Sequence, residues 1–143
     1  MFNLHPQLAT DGIVLGDFKL CRLLLINDVQ FPWFVLVPRR ENVTEIYQLT
    51  ADDRGQLLHE SCVLAQALQE GFVADKLNIA ALGNMVSQLH IHHIVRYQND
   101  LAWPAPVWGK VPASAYSTTQ LSECVAKLKT RLTTDIVYAE RFK

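Results

Sequence analysis

The chain has 143 residues, 50% hydrophobic and 19% charged, and 13 Lys and Arg against 14 Asp and Glu leave a net charge of −1. That size and balance suit one globular domain with its own core and exclude a disordered chain. No basic run offers a footprint for nucleic acid or an anionic membrane, and no apolar run reaches the roughly 18–20 residues needed to cross a bilayer, so small ligands stay open as partners.

Cys21, Cys62 and Cys124 are odd in number and far apart, with no C-x-x-C pair. This argues against a disulfide framework or a zinc–thiolate site and makes a reducing cytoplasm the simplest setting. The N-terminal run through Pro6 lacks a basic region followed by an apolar one, so no signal peptide is expected.

Taken in order, residues 13–15 and 19–26 are predicted strands joined by a turn at Gly16-Asp17. Asn27-Asp28 ends the second, and 33–37 is a third that stops at Pro38. Thr50 is a good N-cap for a helix whose first turn holds Asp52 and Asp53. Leu57, Leu58, Cys62, Leu64, Ala65 and Leu68 recur there at helical spacing, and Gly71 is the expected stop. Residues 77–82 form the next predicted strand, followed by a turn at Gly83-Asn84. Three prolines among residues 104–112 exclude a regular helix or central strand and predict an ordered aromatic loop. A second helix is expected from Ser117 or Thr118, with Leu121, Val125, Leu128 and Leu132 on one stripe. The order predicts a single α+β domain over 1–143, with a mainly antiparallel sheet of about five strands, one long helix and a C-terminal helix. Its core is expected at about 10–110, and the aromatic loop and last helix at 101–143.

Three of the five histidines fall within Gln88-Leu89-His90-Ile91-His92-His93-Ile94-Val95-Arg96. Apolar and β-branched neighbours predict a strand, in which alternate side chains share a face. One face then carries Gln88, His90, His92, Ile94 and Arg96, and His93 turns to the other with Leu89, Ile91 and Val95. His5 and His59 have no partner pattern. For His90 and His92, three readings compete: a hydrogen-bonded structural pair, a metal site, and nucleophilic catalysis. A metal needs three or four ligands, and no Asp, Glu or Cys stands nearby to complete the shell. A neutral imidazole can instead attack phosphorus, with an adjacent imidazole and an amide binding the phosphate oxygens as charge builds.

From Gly83 to Val95 the sequence resembles the signature of the histidine triad family of nucleotide hydrolases and transferases, His-φ-His-φ-His-φ-φ with φ apolar, preceded by a glycine and a polar residue. The resemblance extends back through Leu24-Leu25-Ile26-Asn27-Asp28, the 32–38 strand and the Thr50 helix, over roughly 10–110. It implies a histidine-triad-like fold and cleavage beyond the α-phosphate of a nucleotide conjugate or a dinucleotide polyphosphate such as a diadenosine polyphosphate. His90 takes the place of the family's nucleophile, which becomes nucleotidylated. His92 takes that of the phosphate-contacting histidine. Asn27 or Asp28 matches the ribose contact, and Asn84 the polar residue ahead of the signature. Gln88 stands at the first triad position, where the family has histidine, and is expected to contact substrate as an amide. Trp33 stands where the family has a further histidine. The resemblance further implies a homodimer. An apolar base slot lined by Ile26, Val29 and Leu36 is expected, with Trp103 or Trp108 reaching the site within one subunit or across the dimer. No protein-bound metal or other cofactor is expected, although a divalent ion can accompany the substrate phosphates. Two alternatives stay open: a nucleotide-binding or sensing protein without turnover, and a metal-dependent hydrolase using His90, His92 and His93.

Overall fold

The computed structural model describes residues 1–143. Its centre is a meander of β1 (Gly12–Phe18), β2 (Cys21–Ile26) and β3 (Trp33–Pro38), extended by β5 (Ile91–Arg96) and β4 (Lys76–Ala80) on one side. A short strand, β6 (Ile136–Tyr138), joins the other side, giving the antiparallel order β4-β5-β3-β2-β1-β6. The α+β class holds, with six strands where about five were expected.

The predicted turn at Gly16-Asp17 is corrected: both residues lie inside β1, which pairs with β2 through an irregular register between Val14 and Gly16. The reason is β6. A Cβ on Gly16 would collide with the Val137 carbonyl oxygen, so a glycine there lets the last strand dock. Asp17 accepts two hydrogen bonds from Arg22 on β2, which further commits it to the strand.

Helix α2 (Ala51–Phe72) begins at the expected cap, where Thr50 Oγ1 accepts from the Asp53 N–H at 3.1 Å. It runs past Gly71 and ends with Val73 in the left-handed region at φ 51°. Gly71 is not a stop but a crossing point, since a Cβ there would meet the Lys127 carbonyl oxygen at 2.9 Å on α3 (Thr118–Lys129). The buried stripe is Leu57, Leu64, Ala67, Leu68 and Phe72, whereas Leu58 and Cys62 of the expected stripe are exposed. Helix α3 opens with the capping box of Ser117 and Gln120 and buries Leu121, Cys124, Val125 and Leu128.

Both helices contribute to one apolar cluster with Leu23, Leu25, Phe34, Leu36 and Val95 of the sheet. The buried Glu60 carboxylate ties α2 to the β1–β2 turn by accepting the N–H groups of Leu20 at 2.9 Å and Cys21 at 2.8 Å. The opposite sheet face carries Leu24, Val35 and Val37, packed with Val86 and with Leu8 of α1 (Pro6–Asp11). Phe2 and Leu4 lie against that cluster, so the first residues of the chain run along the face that holds the candidate site.

Candidate functional site

Strand β5 begins at Ile91, so the strand predicted from Gln88 is shorter at its start, and residues 81–90 approach it as irregular chain. The alternation within it is as expected. His92 pairs across with Val35 and Ala80, and His93 with Phe34 and Ile79. His93 therefore faces the helices and is wholly buried. Its Nδ1 donates to the Ile91 carbonyl at 3.1 Å, which leaves Nε2 to accept the Ser61 hydroxyl at 2.7 Å. Burial lowers its pKa to about 4, against the opposing effect of the Ile91 carbonyl. His93 is thus a core residue fully satisfied by α2 and its own strand.

His90 and His92 lie on the other face, with ring centroids 4.9 Å apart and planes 72° apart. Their hydrogen bonds fix where each proton sits. The Gln88 main-chain carbonyl can only accept, so His90 Nδ1, 2.7 Å away, must donate, and Nε2 of the neutral ring carries a lone pair. The Trp33 indole can only donate, so His92 Nδ1, 2.9 Å away, must accept, and Nε2 of the neutral ring carries the hydrogen. Burial lowers the His92 pKa to about 4, since desolvation disfavours the charged ring and a proton on His90 or His93 would repel one on His92, and this keeps the ring neutral at pH 7. Each of the two residues is only 7% exposed, yet no buried side-chain nitrogen or oxygen lacks a partner. Neither Nε2 bonds within the chain, so both reach solvent. With both rings neutral, a bare nucleophilic nitrogen stands beside an N–H donor on one surface.

Gln88 adjoins the pair, and its side chain is engaged. Oε1 accepts the His5 backbone N–H at 2.9 Å, and Nε2 donates to the Asn3 carbonyl at 2.8 Å. The amide at the first triad position thereby clamps the N-terminal segment. Sequence reasoning gave His5 no partner, and no local pattern links it to a residue 83 positions away.

Arg96, at the far end of the same row, is buried and holds the aromatic loop. It donates to both Asp100 oxygens at 2.8 and 3.1 Å, to Asn78 Oδ1 at 2.7 Å and to the Ala105 carbonyl at 2.8 Å. Burial alone would raise the Asp100 carboxyl, but Arg96 and the N–H groups of Tyr97, Ala102 and Trp103 bring it down to about 2. Trp103 lies against the Arg96 guanidinium at 5.6 Å. Trp108 is the tryptophan that reaches the site, with its ring centroid 5.1 Å from His92 and 5.5 Å from Trp33.

The remaining candidates share no hydrogen bond with the two histidines. Asn27 Oδ1 accepts the Tyr116 N–H at 2.9 Å. Asp28 is buried, and its Oδ1 accepts from Gln30 N, Gln30 Nε2 and Ser114 N at 3.1, 2.9 and 3.3 Å, while Oδ2 has no partner. Both residues lie on the β2–β3 connection and fasten the segment before α3. Asn84 is exposed in the turn after Gly83 and stands outside the histidine network. The expected base slot needs one correction. Leu36 faces the helices, whereas Ile26 lies with Val14, Leu24 and Val35 on the histidine side. No group of three or more His, Cys, Asp or Glu side chains is placed to hold a metal ion, and His93 is turned away from any ligand set with His90 and His92.

The HIT domain family matches residues 7–99. Among solved structures, a histidine triad protein from Marinobacter aquaeolei is 50% identical, covering 94% of this chain and 98% of its own, with a TM-score of 0.91. One from Bradyrhizobium japonicum is 42% identical over 91% and 97% of the two chains, with a TM-score of 0.89. A third, from Sinorhizobium meliloti, is 39% identical over 92% and 98%, with a TM-score of 0.90. No curated protein matches the chain.

Proposed function

The chain belongs to the histidine triad family, and from that premise we propose that it binds a nucleotide conjugate or dinucleotide polyphosphate and cleaves it beyond the α-phosphate. The observation that carries this reading is the complementary protonation of the pair: His90 with a bare Nε2, His92 with an Nε2–H, both open to solvent on one face.

His90 Nε2 attacks the α-phosphorus, and the bond from phosphorus to the leaving oxygen or nitrogen breaks, its electron pair going with the leaving group. A leaving phosphate departs as an anion, and a leaving amine takes a proton from solvent. His92 Nε2–H binds a phosphoryl oxygen as negative charge gathers there, a role that elsewhere contributes about 10²–10³-fold in rate. Water then attacks the nucleotidyl phosphorus, the P–N bond to His90 breaks, and a nucleoside monophosphate leaves as water gives up a proton to solvent. An alcohol or amine acceptor in place of water makes the same step a nucleotidyl transfer. The unpartnered Asp28 Oδ2, with Asn27 beside it, is suited to ribose hydroxyls. The apolar surface of Val14, Leu24, Ile26 and Val35 suits a base, and Asn84 is an open position at the rim. A divalent ion, where present, travels with the substrate phosphates.

Incubation with a panel of dinucleotide polyphosphates and nucleoside phosphoramidates, followed by intact mass measurement, tests the reading. A nucleotidyl adduct on the wild type and none on His90→Ala is the expected result. Tight binding with no adduct or product over long incubation makes the protein a nucleotide binder or sensor instead. That second reading is favoured by Gln88, whose amide is engaged by the N-terminal segment rather than left free for substrate.

A homodimer is the proposed assembly. Strand β4 is an open sheet edge, and Ile79, Leu82 and Met85 in and after it are exposed apolar side chains that a second copy would cover. No helix is long and apolar enough to cross a membrane, and the three cysteines are free thiols. The cytoplasm is the compartment we propose.

A further inference from the structure

The register of the sheet sets Trp33 opposite Ile94 and Val35 opposite His92, so Trp33 reaches His92 diagonally on the histidine face. The two ring centroids are 5.7 Å apart, and the indole N–H points at Nδ1 over 2.9 Å. Trp108 closes the triangle edge-on, its plane at 89° to Trp33 and 83° to His92. It therefore buttresses both rings, and the loop that carries it is fastened by Arg96 and Asp100.

We propose that Trp33 is the positioning residue of this site: its indole N–H holds His92 in the Nε2–H form and aims that hydrogen at the phosphoryl oxygen of a substrate on His90. The proposal rests on the roles assigned to His90 and His92 above. It gives Trp33 a task that an apolar strand residue would not have. Of all side chains, an indole suits a fixed tautomer well, because it donates and never accepts. A histidine or a hydroxyl in its place could swap roles with His92 and let the proton move to Nδ1.

The groups around His92 make this contact decisive. His90 and His93 flank it on its own segment, Trp33 and Val35 face it from β3, Ala80 from β4, and Trp108 from the aromatic loop. Only the two histidines among them titrate, and neither accepts from or donates to His92. The indole is thus the single hydrogen-bond partner of the ring. Without it, nothing distinguishes the two neutral tautomers or the two flipped orientations of the imidazole. Outer partners that orient a working histidine are worth about 10- to 100-fold in activity in metal sites, where the effect is best measured. A loss of that size is expected here.

The test is Trp33→Phe, which keeps an aromatic ring and removes the N–H. Benzothienylalanine at position 33, isosteric with tryptophan but without the N–H, serves the same end with less disturbance of packing. Long-range 1H–15N spectra of the imidazoles at pH 7 read the tautomer directly. The wild type is expected to show His92 as Nε2–H, and either replacement a mixture of both tautomers. Trp108→Phe, which removes no hydrogen bond to His92, is expected to keep the wild-type signature. Adduct formation from a dinucleotide polyphosphate should fall about 10- to 100-fold at position 33, in kcat rather than KM. A His92 signature unchanged by both replacements overturns the proposal, as does a changed signature with an unchanged rate. If the wild type forms no adduct with any substrate, the proposed reaction fails, and the tautomer comparison still decides the role of Trp33.

Discussion

Gln88 Oε1 accepts the backbone N–H of His5 at 2.9 Å, joining the first triad position to a residue 83 places earlier in the chain. The same side chain donates to the Asn3 carbonyl, while the Gln88 main-chain carbonyl accepts from His90. The residue therefore works through two separable parts: the side chain holds the N-terminus, and the backbone fixes the His90 tautomer. Gln88→Ala should free residues 3–5 to exchange amide hydrogen faster and cost about 1–2 kcal/mol of stability. Adduct formation at His90 should survive within about tenfold, because the carbonyl remains. Loss of all adduct in a folded Gln88→Ala protein would show that the amide itself meets substrate.

His92→Asn places a shorter amide where the Nε2–H now reaches out beside His90. Reduction of the transition-state donor should lower the nucleotidylation rate by about 10²-fold, with substrate binding much less affected. Stopped-flow measurement of leaving-group release on wild type and variant gives the comparison. Equal rates would remove His92 from the chemistry.

Arg96 and Asp100 set the place of the aromatic loop, and through it that of Trp108 beside His92. Arg96→Ala would remove the cation paired with the Asp100 carboxylate, which keeps only its backbone N–H donors, and would leave Asn78 Oδ1 and the Ala105 carbonyl without the guanidinium, a change that costs about 3–5 kcal/mol at comparable buried pairs. Arg96→Lys keeps the charge but not the fork, and should cost less. In both, tryptophan emission should shift toward that of an exposed indole as Trp108 leaves its seat. An unchanged spectrum in Arg96→Ala would mean that the loop is held by its apolar contacts alone.

Acid should weaken the fold in a defined window. His92 and His93 have an ordinary value of 6.5 lowered to about 4 in the folded chain. Between those values the unfolded chain binds more protons, so stability falls as pH drops from about 6.5 to about 4 and these two groups add no further loss below that. Each can contribute up to about 3 kcal/mol. Asp100, lowered from 3.8 to about 2, acts in the next window down. Its contribution is present above about 4 and lost as pH falls toward 2. Urea midpoints at pH 7, 5 and 3.5 should decline stepwise, and a midpoint held constant from pH 7 to pH 4.5 would contradict neutral buried imidazoles.

These effects divide the chain into what its sequence shows and what only folding brings together. Local signals were legible. The His90–His92 row, the Thr50 cap and the Ser117 start follow from period two, from side-chain oxygens ahead of apolar stripes, and from the prolines between them. Short elements were not, because α1 spans six residues and β6 three, too few for any period to register. Gly16 read as a turn for a related reason. A glycine that makes room for a neighbouring backbone looks in sequence like one that bends its own. Trp33 and His92 are 59 residues apart, and their contact depends on the offset of β3 against β5, which composition and spacing do not encode. The histidines were legible as a row, and the proton positions that make them different from one another were not.

The docking of β6 beside Gly16 bears on how this protein can grow. One border of the sheet ends in a three-residue strand, too short to template a long ladder, and the other in the five-residue β4. Addition of strands is therefore directional. A second copy that pairs β4 to β4 about a twofold axis uses up both long borders at once and leaves only the blunt ones outside. Assembly of that kind stops at two, where a sheet with two long open borders could continue into a fibre. A substitution at Gly16 that drove β6 off would remove this terminus and give the proposed dimer a second border to extend.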